Sequence, residues 1–350
     1  MKVGIIGLPL AGKSTVFRLL TQAQSEGAKN RAAVGVAMVP DARVDFLSRH
    51  YKPRRTAYAQ IAITDLPGLE PGRSSEFLAE LRDVEALIQV VRVFRAEHVP
   101  SARPGAADPL ADTQAVQQEL VLADWAMVDT RLNRLRKGVR LPQTGADIAV
   151  FERLAASLEE GVPLRKLKID EDAQKSLQGM AFLSDKPCVV VVNTDEEQFR
   201  AGDFPGKERL LTWCAGEGMP VVEVCGQFEM ELNDLSPEDR SAFLADLGIT
   251  ETGLTRLAKA VHELLGLISF FTVGEDEVKA WTVRQGSTAK EAAGKIHSDI
   301  ERGFIRAEVV PYESFVKFGG YHAREGAGPR LEGRDYIVQD GNIMHFRFNV

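Results

Sequence analysis

The sequence has few of the features that mark a secreted, membrane-bound or disulfide-stabilised protein. Its 350 residues include only three cysteines, at spacings that fit neither a zinc site nor a disulfide framework. No apolar run reaches the roughly 18 residues that a membrane-spanning helix needs. The first apolar run, Val3–Leu10, is short and leads into a glycine motif, which is typical of a strand and not of a signal peptide. We therefore expect a cytoplasmic protein that folds without disulfides or a structural metal.

Positive charge is also in deficit, since 43 Lys and Arg face 50 Asp and Glu, for a net charge of −7. This balance excludes a protein that coats DNA non-specifically, and we expect no DNA specificity. Basic residues still cluster locally, either as solvated surface or as binding patches. One cluster contains Arg49, Lys52, Arg54 and Arg55, and the other contains Arg131, Arg134, Arg136, Lys137 and Arg140.

The N-terminal third alternates between short apolar strands and helices, which predicts an α/β fold with a doubly wound, mostly parallel sheet. The predicted strands are Val3–Ile6, Val34–Val39, Ala59–Thr64 and Leu87–Phe94. The pattern resumes later with further strands at Cys188–Val192 and Val221–Val224. Together these segments indicate one domain that is interrupted in the sequence.

The interruption is predicted to be helical. From about Asp112 to Lys137, apolar residues recur at spacings of four and three, which form one stripe along a helix: Val121, Trp125, Val128, Leu132 and Leu135. A turn and a second helix follow, as in a helical hairpin, and a third helix is predicted over Glu171–Phe182. We expect a helical, coiled-coil-like insertion over residues 106–185, inside a domain formed by residues 1–105 and 186–267.

Residues 268–350 have the pattern of a separate, small α+β domain. Thr288 and Glu291 form a capping box at the start of a short helix. Short strands are predicted around this helix, and the last two, Tyr336–Gln339 and Ile343–Phe348, are predicted to form a hairpin across Asp340 and Gly341.

The segment Gly7-Leu8-Pro9-Leu10-Ala11-Gly12-Lys13-Ser14 fits the phosphate-binding pattern G-x-x-x-x-G-K-[ST]. It follows a predicted strand and precedes a predicted helix, so backbone N–H groups and the helix dipole can face phosphates. In this role Lys13 reaches the β- and γ-phosphates and Ser14 binds Mg²⁺. The candidate nucleotide-binding residues here are Gly7, Leu10, Ala11, Gly12, Lys13, Ser14 and Thr15.

A second motif, Asp65-Leu66-Pro67-Gly68, lies at the end of a predicted strand downstream of this loop. In this position Asp65 is expected to hold the Mg²⁺ shell and the N–H of Gly68 to sense the γ-phosphate, so both join Lys13 as candidate catalytic residues. Leu69 follows, where Ras-like enzymes carry a glutamine that orients water. Leucine cannot form that hydrogen bond, so slow intrinsic hydrolysis is expected.

The segment Asn193-Thr194-Asp195-Glu196 follows a buried strand, where guanine-specific GTPases carry N-K-x-D. Glu196 is one methylene longer than Asp, so the two-point contact with guanine is expected to be misplaced. Asn193 and Glu196 remain candidate base-binding residues, together with Cys225 after the next strand. We expect relaxed or reversed base preference.

With these motifs in order, the chain resembles the YchF subfamily of Obg-related P-loop NTPases over nearly its whole length. Gly7–Thr15 is similar to the family's GLPNVGKST, and Asn193–Glu196 is similar to its altered base motif N-x-x-E. Ile268–Thr272 and Val338–Gly341 resemble its C-terminal TGS domain, a β-grasp module. The resemblance implies a helical insertion, Mg²⁺-dependent ATP hydrolysis and association with ribosomes or RNA.

The chain also departs from the family pattern. Leu10 stands in the phosphate loop where the family has Asn, and Lys29 stands where the switch I Thr is expected. The segment after Asp65 is shorter than the family's glycine-rich switch II. Two hypotheses therefore stay open: a slow ATPase, possibly also a GTPase, that acts as a switch on the translation machinery, and a nucleotide-binding scaffold that does not hydrolyse. A small-molecule P-loop kinase is a third and weaker alternative, and the sequence leaves the oligomeric state open.

Overall fold

The computed structural model describes residues 1–22, 33–66, 80–95, 108–138, 142–319 and 328–349. The chain forms two compact units, of which the first contains Met1–Gly35 and Ala62–Leu257 and the second contains Val36–Ile61 and Ala258–Val350. Residues 36–61 thus group with the C-terminal part of the chain, although the sequence places them in the N-terminal domain. The three-part division into residues 1–105 with 186–267, 106–185 and 268–350 stays a prediction. Within the described ranges, no helix is both long and apolar enough to cross a membrane.

Both units combine strands and helices. The strands are β1 (Lys2–Ile6), β2 (Ala33–Val39), β3 (Arg55–Ala57), β4 (Ala59–Asp65), β5 (Ala86–Arg92), β6 (Cys188–Asn193), β7 (Val221–Val224), β8 (Leu267–Thr272), β9 (Glu277–Arg284), β10 (Phe304–Pro311), β11 (Arg330–Glu332) and β12 (Asn342–Phe348). The α-helices are α1 (Lys13–Thr21), α2 (Ala42–Tyr51), α3 (Pro109–Lys137), α4 (Pro142–Glu159), α5 (Glu171–Ser176), α6 (Glu196–Ala201), α7 (Lys207–Gly216), α8 (Gly226–Asp234), α9 (Pro237–Asp246), α10 (Gly253–Leu264), α11 (Ala289–Ile296), α12 (Ser298–Arg302) and α13 (Tyr312–Phe318).

The predicted α/β fold class is confirmed by a six-stranded sheet in the order β2-β4-β1-β5-β6-β7. Strand β1 pairs in parallel with β4 and β5, and β6 pairs in parallel with β5 and β7. All six residues of β6 are buried, as expected for a strand that is covered on both faces. Parallel pairing brings the carboxyl ends of these strands to one edge of the sheet.

Helices α3 and α4, here called the arm, pack against each other as the predicted hairpin. Asp108 caps α3 by accepting a hydrogen bond from the N–H of Ala111, and Pro109 follows at the first helical position. The predicted stripe is confirmed, because it contributes to a separate apolar core that includes Val121, Val128, Leu132, Phe151, Leu154 and Leu158. The arm therefore carries its own core.

The buried carboxylate of Asp124, in the middle of α3, holds the arm to the chain before β6, and this part of α3 is here called the root of the arm. One oxygen accepts a hydrogen bond from the N–H of Leu183 at 2.9 Å. The other accepts from the N–H and the hydroxyl of Ser184, both at 2.7 Å. These bonds fix the middle of α3 to the chain segment that leads into β6.

Two predictions about secondary structure are wrong. The third helix of the insertion ends at Ser176 and does not reach Phe182, because Gly179 adopts a left-handed conformation with φ 82°. Tyr336–Gln339 forms no strand but a single bridge between Ile337 and Thr288. Strand β12 already pairs with β10 on one side and β8 on the other, so it has no free edge for the predicted hairpin.

The second unit contains a six-stranded sheet in the order β11-β10-β12-β8-β9-β3. Its outermost strand, β3, pairs in parallel with β9 and was not predicted. Arg54 and Arg55 of the first basic cluster lie 3.4 Å and 3.5 Å from the carboxylates of Asp276 and Glu277. These ion pairs partly neutralise that cluster, so it is a weaker candidate for a binding patch than the sequence indicated.

A charge cluster anchors α2 in this unit. The guanidinium of Arg43 donates to Asp340 at 2.6 Å and to Asp41, the residue that caps α2, at 2.8 Å. Asp340 also accepts a hydrogen bond from the N–H of Ser269 at 2.9 Å. The cluster and the pairing of β3 with β9 both join residues 36–61 to the C-terminal part of the chain, although about 300 residues separate Arg43 from Asp340 in the sequence.

We predict that Asp124→Ala lowers the free energy of unfolding by about 3 kcal/mol, because three donors lose a buried, charged acceptor. Urea unfolding monitored by circular dichroism measures the change. Asp129→Ala is the matched control, since Asp129 lies on the same helix and, among the described residues, accepts an exposed hydrogen bond from Asn133. Equal midpoints for the two variants would contradict the role assigned to Asp124.

Candidate nucleotide-binding site

Four loops of the first unit follow strands β1, β5, β6 and β7 and meet at the carboxyl edge of the parallel sheet. The loop after β1 begins at Gly7, the loop after β5 carries Phe94 and Arg95, the loop after β6 begins at Thr194, and Cys225 follows β7. In open α/β sheets this edge is where ligands bind. The predicted phosphate and base motifs therefore share one site.

The phosphate loop takes backbone conformations that favour glycine. Gly7 has φ 147° and Gly12 has φ 93°. A Cβ atom at Gly7 would lie 2.4 Å from the carbonyl oxygen of Val90, and one at Gly12 would lie 2.3 Å from Nδ2 of Asn193. Leu10 also has positive φ, at 62°, and its side chain is half exposed. Asparagine tolerates this region better than leucine, so Leu10 carries a conformational cost.

Helix α1 begins directly after this loop, and Gly12 caps it without a side-chain hydrogen bond. The N–H groups of the first helical turn have no partner within the helix, so they can bind an anion. The ammonium of Lys13 folds back and donates to the carbonyl oxygens of Gly7 and Leu8, at 3.1 Å and 2.8 Å. Burial lowers the pKa of Lys13 to about 8, although the nearby Asp65 carboxylate acts in the opposite direction.

Ser14 and Asp65 are brought together at the start of α1 and the end of β4. The Ser14 hydroxyl forms a hydrogen bond with the Asp65 carboxylate, whose pKa is raised because burial outweighs this bond and the nearby cations Lys13 and Arg18. Oδ1 of Asp65 is buried and has no hydrogen-bond partner among the described residues. A hydroxyl and an under-coordinated carboxylate are oxygen ligands of the kind that Mg²⁺ prefers, so the residues fit this ion.

Asn193 connects the phosphate loop to the base side of the site. Its Nδ2 donates to the carbonyl oxygen of Ala11 at 3.2 Å, and its Oδ1 accepts from the N–H of Gly226 at 3.2 Å. A Cβ atom at Gly226 would lie 3.3 Å from both Asn193 and Thr15. The site thus gathers the phosphate loop, Thr15, Asn193 and the loop that carries Cys225.

Glu196 has a partner within its own helix, and its role in base binding stays a prediction. It is the first residue of α6, and its carboxylate pairs with Arg200 at 3.0 Å. Asp195 caps the same helix and accepts from the N–H of Gln198 at 2.9 Å. Glu196 still lies near Cys225. Burial raises the pKa of the Cys225 thiol, and the negative charge of Glu196 raises it further. Both acidic residues of the motif therefore have partners within the protein.

Three residues directly after β5 contact the phosphate loop or the segment after β6 and were not among the predicted site residues. The carbonyl oxygen of Val93 accepts a hydrogen bond from Gln198 at 2.9 Å. Phe94 lies 3.9 Å from where a Cβ atom of Gly12 would be. Arg95 donates its N–H to Asp195 at 3.2 Å. Their position directly after a central parallel strand is the signal that could have identified them.

Several predicted residues lie outside the described ranges. They are Gly68 and Leu69 of the second motif, Lys29, which stands at the position of the switch I Thr, and Arg140 of the second basic cluster. Their predicted roles stay predictions.

Two family models match the ends of the chain. Residues 2–123 match MMR_HSR1, described as a 50S ribosome-binding GTPase. Residues 267–349 match YchF-GTPase_C, described as a protein of unknown function (DUF933). The first match contains the phosphate loop and Asp65, and the second contains the C-terminal strands.

Similarity to curated relatives extends over the whole chain. The chain is 38% identical to the "Ribosome-binding ATPase YchF" of Bacillus subtilis, over 100% of both chains. It is 40% identical to the protein of the same name from Haemophilus influenzae, over 100% of this chain and 99% of the relative.

Two solved structures resemble this chain over nearly its whole length. The YchF GTPase of Schizosaccharomyces pombe superposes with a TM-score of 0.87 and 29% identity, over 99% of this chain and 97% of that one. A GTP-binding protein from Pyrococcus horikoshii shares the fold with a TM-score of 0.59 and 21% identity, over the full length of both chains. Since relatives with more than a third of their residues identical align from end to end, the chain belongs to the YchF family of P-loop NTPases.

Proposed function

We propose that this protein binds ATP with Mg²⁺, hydrolyses it slowly, and acts as a nucleotide-dependent switch on the ribosome. The observation that carries the proposal is the convergence of Lys13, Ser14 and Asp65 at the mouth of the phosphate loop. A buried lysine, a hydroxyl and an under-coordinated carboxylate at the start of a helix suit a phosphate chain with its divalent cation. The relatives' names, which describe ribosome-binding ATPases, support the same function and a cytoplasmic location.

The residues of the site have distinct roles in this proposal. The N–H groups at the start of α1 bind phosphate oxygens, and Lys13 leaves the carbonyls of Gly7 and Leu8 to face the β- and γ-phosphates. Ser14 and Asp65 would hold Mg²⁺, which supplies positive charge that offsets the charge of the phosphates. Asn193 holds the phosphate loop at Ala11 to Gly226 on the base side of the site through its two hydrogen bonds.

Slow turnover follows from the residue after the second motif. Leu69 cannot orient an attacking water. The N–H of Gly68, the Lys13 ammonium and a bound Mg²⁺ would stabilise the phosphates without activating the nucleophile. A partner or another group must then supply the missing function. We propose that hydrolysis is stimulated when the protein binds its partner.

The base side of the site favours adenine or tolerates both bases. The carboxylate of Glu196 pairs with Arg200 and that of Asp195 caps α6, so neither is free to accept from guanine without losing a partner. The relatives' names themselves differ on the base, since the bacterial relatives are called ATPases and the S. pombe structure is called a GTPase.

The arm is the proposed contact with the ribosome or RNA. Arg131, Arg134 and Lys137 are exposed near the end of α3, and Arg136 is also exposed but pairs with Glu152 at 2.8 Å. These cations lie on a helix of 29 residues, which spans about 40 Å at 1.5 Å per residue. Such a helix can carry charge well away from the phosphate loop at the sheet edge.

A non-hydrolysing scaffold is the second candidate function. Leu10 in the phosphate loop and Lys29 at the position of the switch I Thr are the observations that favour it. Single-turnover ATP hydrolysis, measured with and without ribosomes, separates the two functions. The ATPase proposal requires hydrolysis in at least one condition, whereas the scaffold shows none in either.

We predict that ATP affinity falls as the pH rises above 8. The Lys13 pKa is about 8 in the free protein, and bound phosphates stabilise the ammonium, so binding above pH 8 requires proton uptake. The limiting slope is about tenfold in Kd per pH unit. Calorimetry from pH 7 to 9.5 measures it, with Lys2→Ala as a control that removes an exposed lysine from β1. Constant affinity over this range would rule out a neutral Lys13.

ATP is expected to bind at least as tightly as GTP, because the acidic residues after Asn193 already have partners within the protein. Titration of ATP, GTP and their diphosphates against the purified protein tests this expectation. Lys13→Ala should weaken both nucleotides at least tenfold, about 1.4 kcal/mol. GTP binding more than tenfold tighter than ATP would overturn the base assignment.

Changing Arg131, Arg134, Arg136, Lys137 and Arg140 to Gln is expected to weaken ribosome association and leave ATP affinity unchanged. Five neutralised phosphates correspond to a log–log salt slope of roughly −4, which the variant should flatten. Co-sedimentation across a salt series measures the slope.

A matched control for the arm variant changes five exposed basic residues of the second unit to Gln: Lys290, Lys295, Arg306, Arg330 and Arg334. It should keep the wild-type slope. If both variants lose the same affinity, the contact is a general effect of charge and not a property of the arm.

A further inference from the structure

Arg82 lies where the chain that follows the second motif meets the root of the arm. Its Nη1 donates to the carbonyl oxygen of Ala181 at 2.7 Å and lies 3.7 Å from Oδ1 of Asp124. Arg82 is one-quarter exposed, whereas Asp124 is fully buried. The Arg82 guanidinium thus places a positive charge near the buried Asp124 carboxylate, which also accepts hydrogen bonds from Leu183 and Ser184.

The backbone of this segment is held by the same part of the protein. Nζ of Lys186 donates to the carbonyl oxygens of Arg82 and Val84, at 3.1 Å and 2.5 Å. Asp124 in turn binds the chain at Leu183 and Ser184, just before Lys186. Both the side chain and the backbone of Arg82 therefore contact α3 or the segment that α3 binds.

On its other side, this segment contacts the base of the phosphate loop. Leu81 is fully buried in the same apolar core as Leu66, Ile6 and Leu8. A Cβ atom at Gly4 in β1 would lie 3.1 Å from Leu81 and 3.4 Å from Leu66, which directly follows Asp65. Displacement of Leu81 would thus press on the strand that leads into the phosphate loop and on the neighbour of Asp65.

We propose that Arg82 is the positioning residue that couples the arm to the nucleotide site. The inference rests on the proposed function, because it assumes a ribosomal contact at the arm and ATP at the phosphate loop. A force on the arm moves Asp124, Arg82 follows its counter-charge, and Leu81 transmits the shift to Leu66 and Gly4. Residues 67–79, which include Gly68 and Leu69, join Leu66 to Glu80 along the chain.

Thermodynamic linkage makes the proposal measurable without hydrolysis. If ribosomes change the Kd for an ATP analogue by some factor, the analogue must change the Kd for ribosomes by the same factor. This coupling factor is distinct from either affinity alone. A residue with a merely structural role changes stability or both affinities but has no reason to remove the factor selectively.

The experiment measures this factor for full-length wild type, Arg82→Gln and Arg153→Gln. A non-hydrolysable ATP analogue is titrated with and without purified ribosomes, and ribosome co-sedimentation is repeated with and without the analogue. Arg153→Gln is the matched control, because Arg153 is half exposed in the arm and pairs with Asp170 at 3.8 Å, away from Asp124. Thermal melting verifies that each variant folds.

We expect a coupling factor of at least fivefold in the wild type and in Arg153→Gln, which is within the usual range for linked sites. In Arg82→Gln the factor should fall below twofold, while the Kd for the analogue alone and for ribosomes alone stays within twofold of the wild type. Arg82→Lys keeps the charge but not the planar group that reaches both Ala181 and Asp124, so its factor should be intermediate. This variant carries the test if Arg82→Gln does not fold.

The outcomes distinguish a failure of the proposed function from a failure of the inference about Arg82. Failure of the wild type to bind either the analogue or ribosomes overturns the proposed function, and the coupling with it. Binding of both without any coupling in the wild type, or coupling that persists in Arg82→Gln, overturns the inference about Arg82 and leaves the proposed function intact.

Discussion

Parallel pairing of β1, β5, β6 and β7 is the constraint on which the rest of the first unit depends. It brings the carboxyl ends of four strands to one edge, so that loops far apart in the sequence become neighbours. Asn193 then joins two of these loops directly, because its amide bonds Ala11 on one side and Gly226 on the other. Without this parallel pairing, the phosphate loop would not lie beside the loops that follow β5, β6 and β7.

The site contains groups that are unfavourable in the free protein. Leu10 has a left-handed backbone, Lys13 is a buried cation whose pKa is lowered by burial, and Oδ1 of Asp65 has no hydrogen-bond partner among the described residues. Bound phosphates would place negative charge beside Lys13, and a divalent cation would place positive charge beside Asp65. These charges would offset the loss of hydration that burial causes. In a P-loop NTPase of the YchF family, these costs are thus features of the free state that favour ligand binding.

The helical arm is attached to the segment before β6 by charge and not by apolar packing alone. It has its own core, and its root is held by the buried carboxylate of Asp124. A carboxylate that accepts several hydrogen bonds is directional, so it fixes one orientation of α3 where an apolar contact would allow several. In the second unit, Arg43 and Asp340 play a comparable part, because they hold α2 against strands from the other end of the chain.

The sequence by itself determined the features that depend on neighbouring residues. The glycines and Lys13 of the phosphate loop, the arm's apolar stripe and the capping box at Thr288 are readable because their physics acts over a few positions. The sequence also contained Glu196, but its pairing with Arg200 was decided by α6, a helix that the pattern did not indicate.

Only the tertiary structure decided the contacts between distant residues. Strand β3 joins the sheet of the second unit because β9 offers it a partner, and three residues of modest strand preference are too few to predict this. Asn193 meets Ala11 across 182 positions, and Asp124 meets Ser184 across 60. Such hydrogen bonds leave no periodic pattern in the chain, because each needs only one donor and one acceptor that folding brings together.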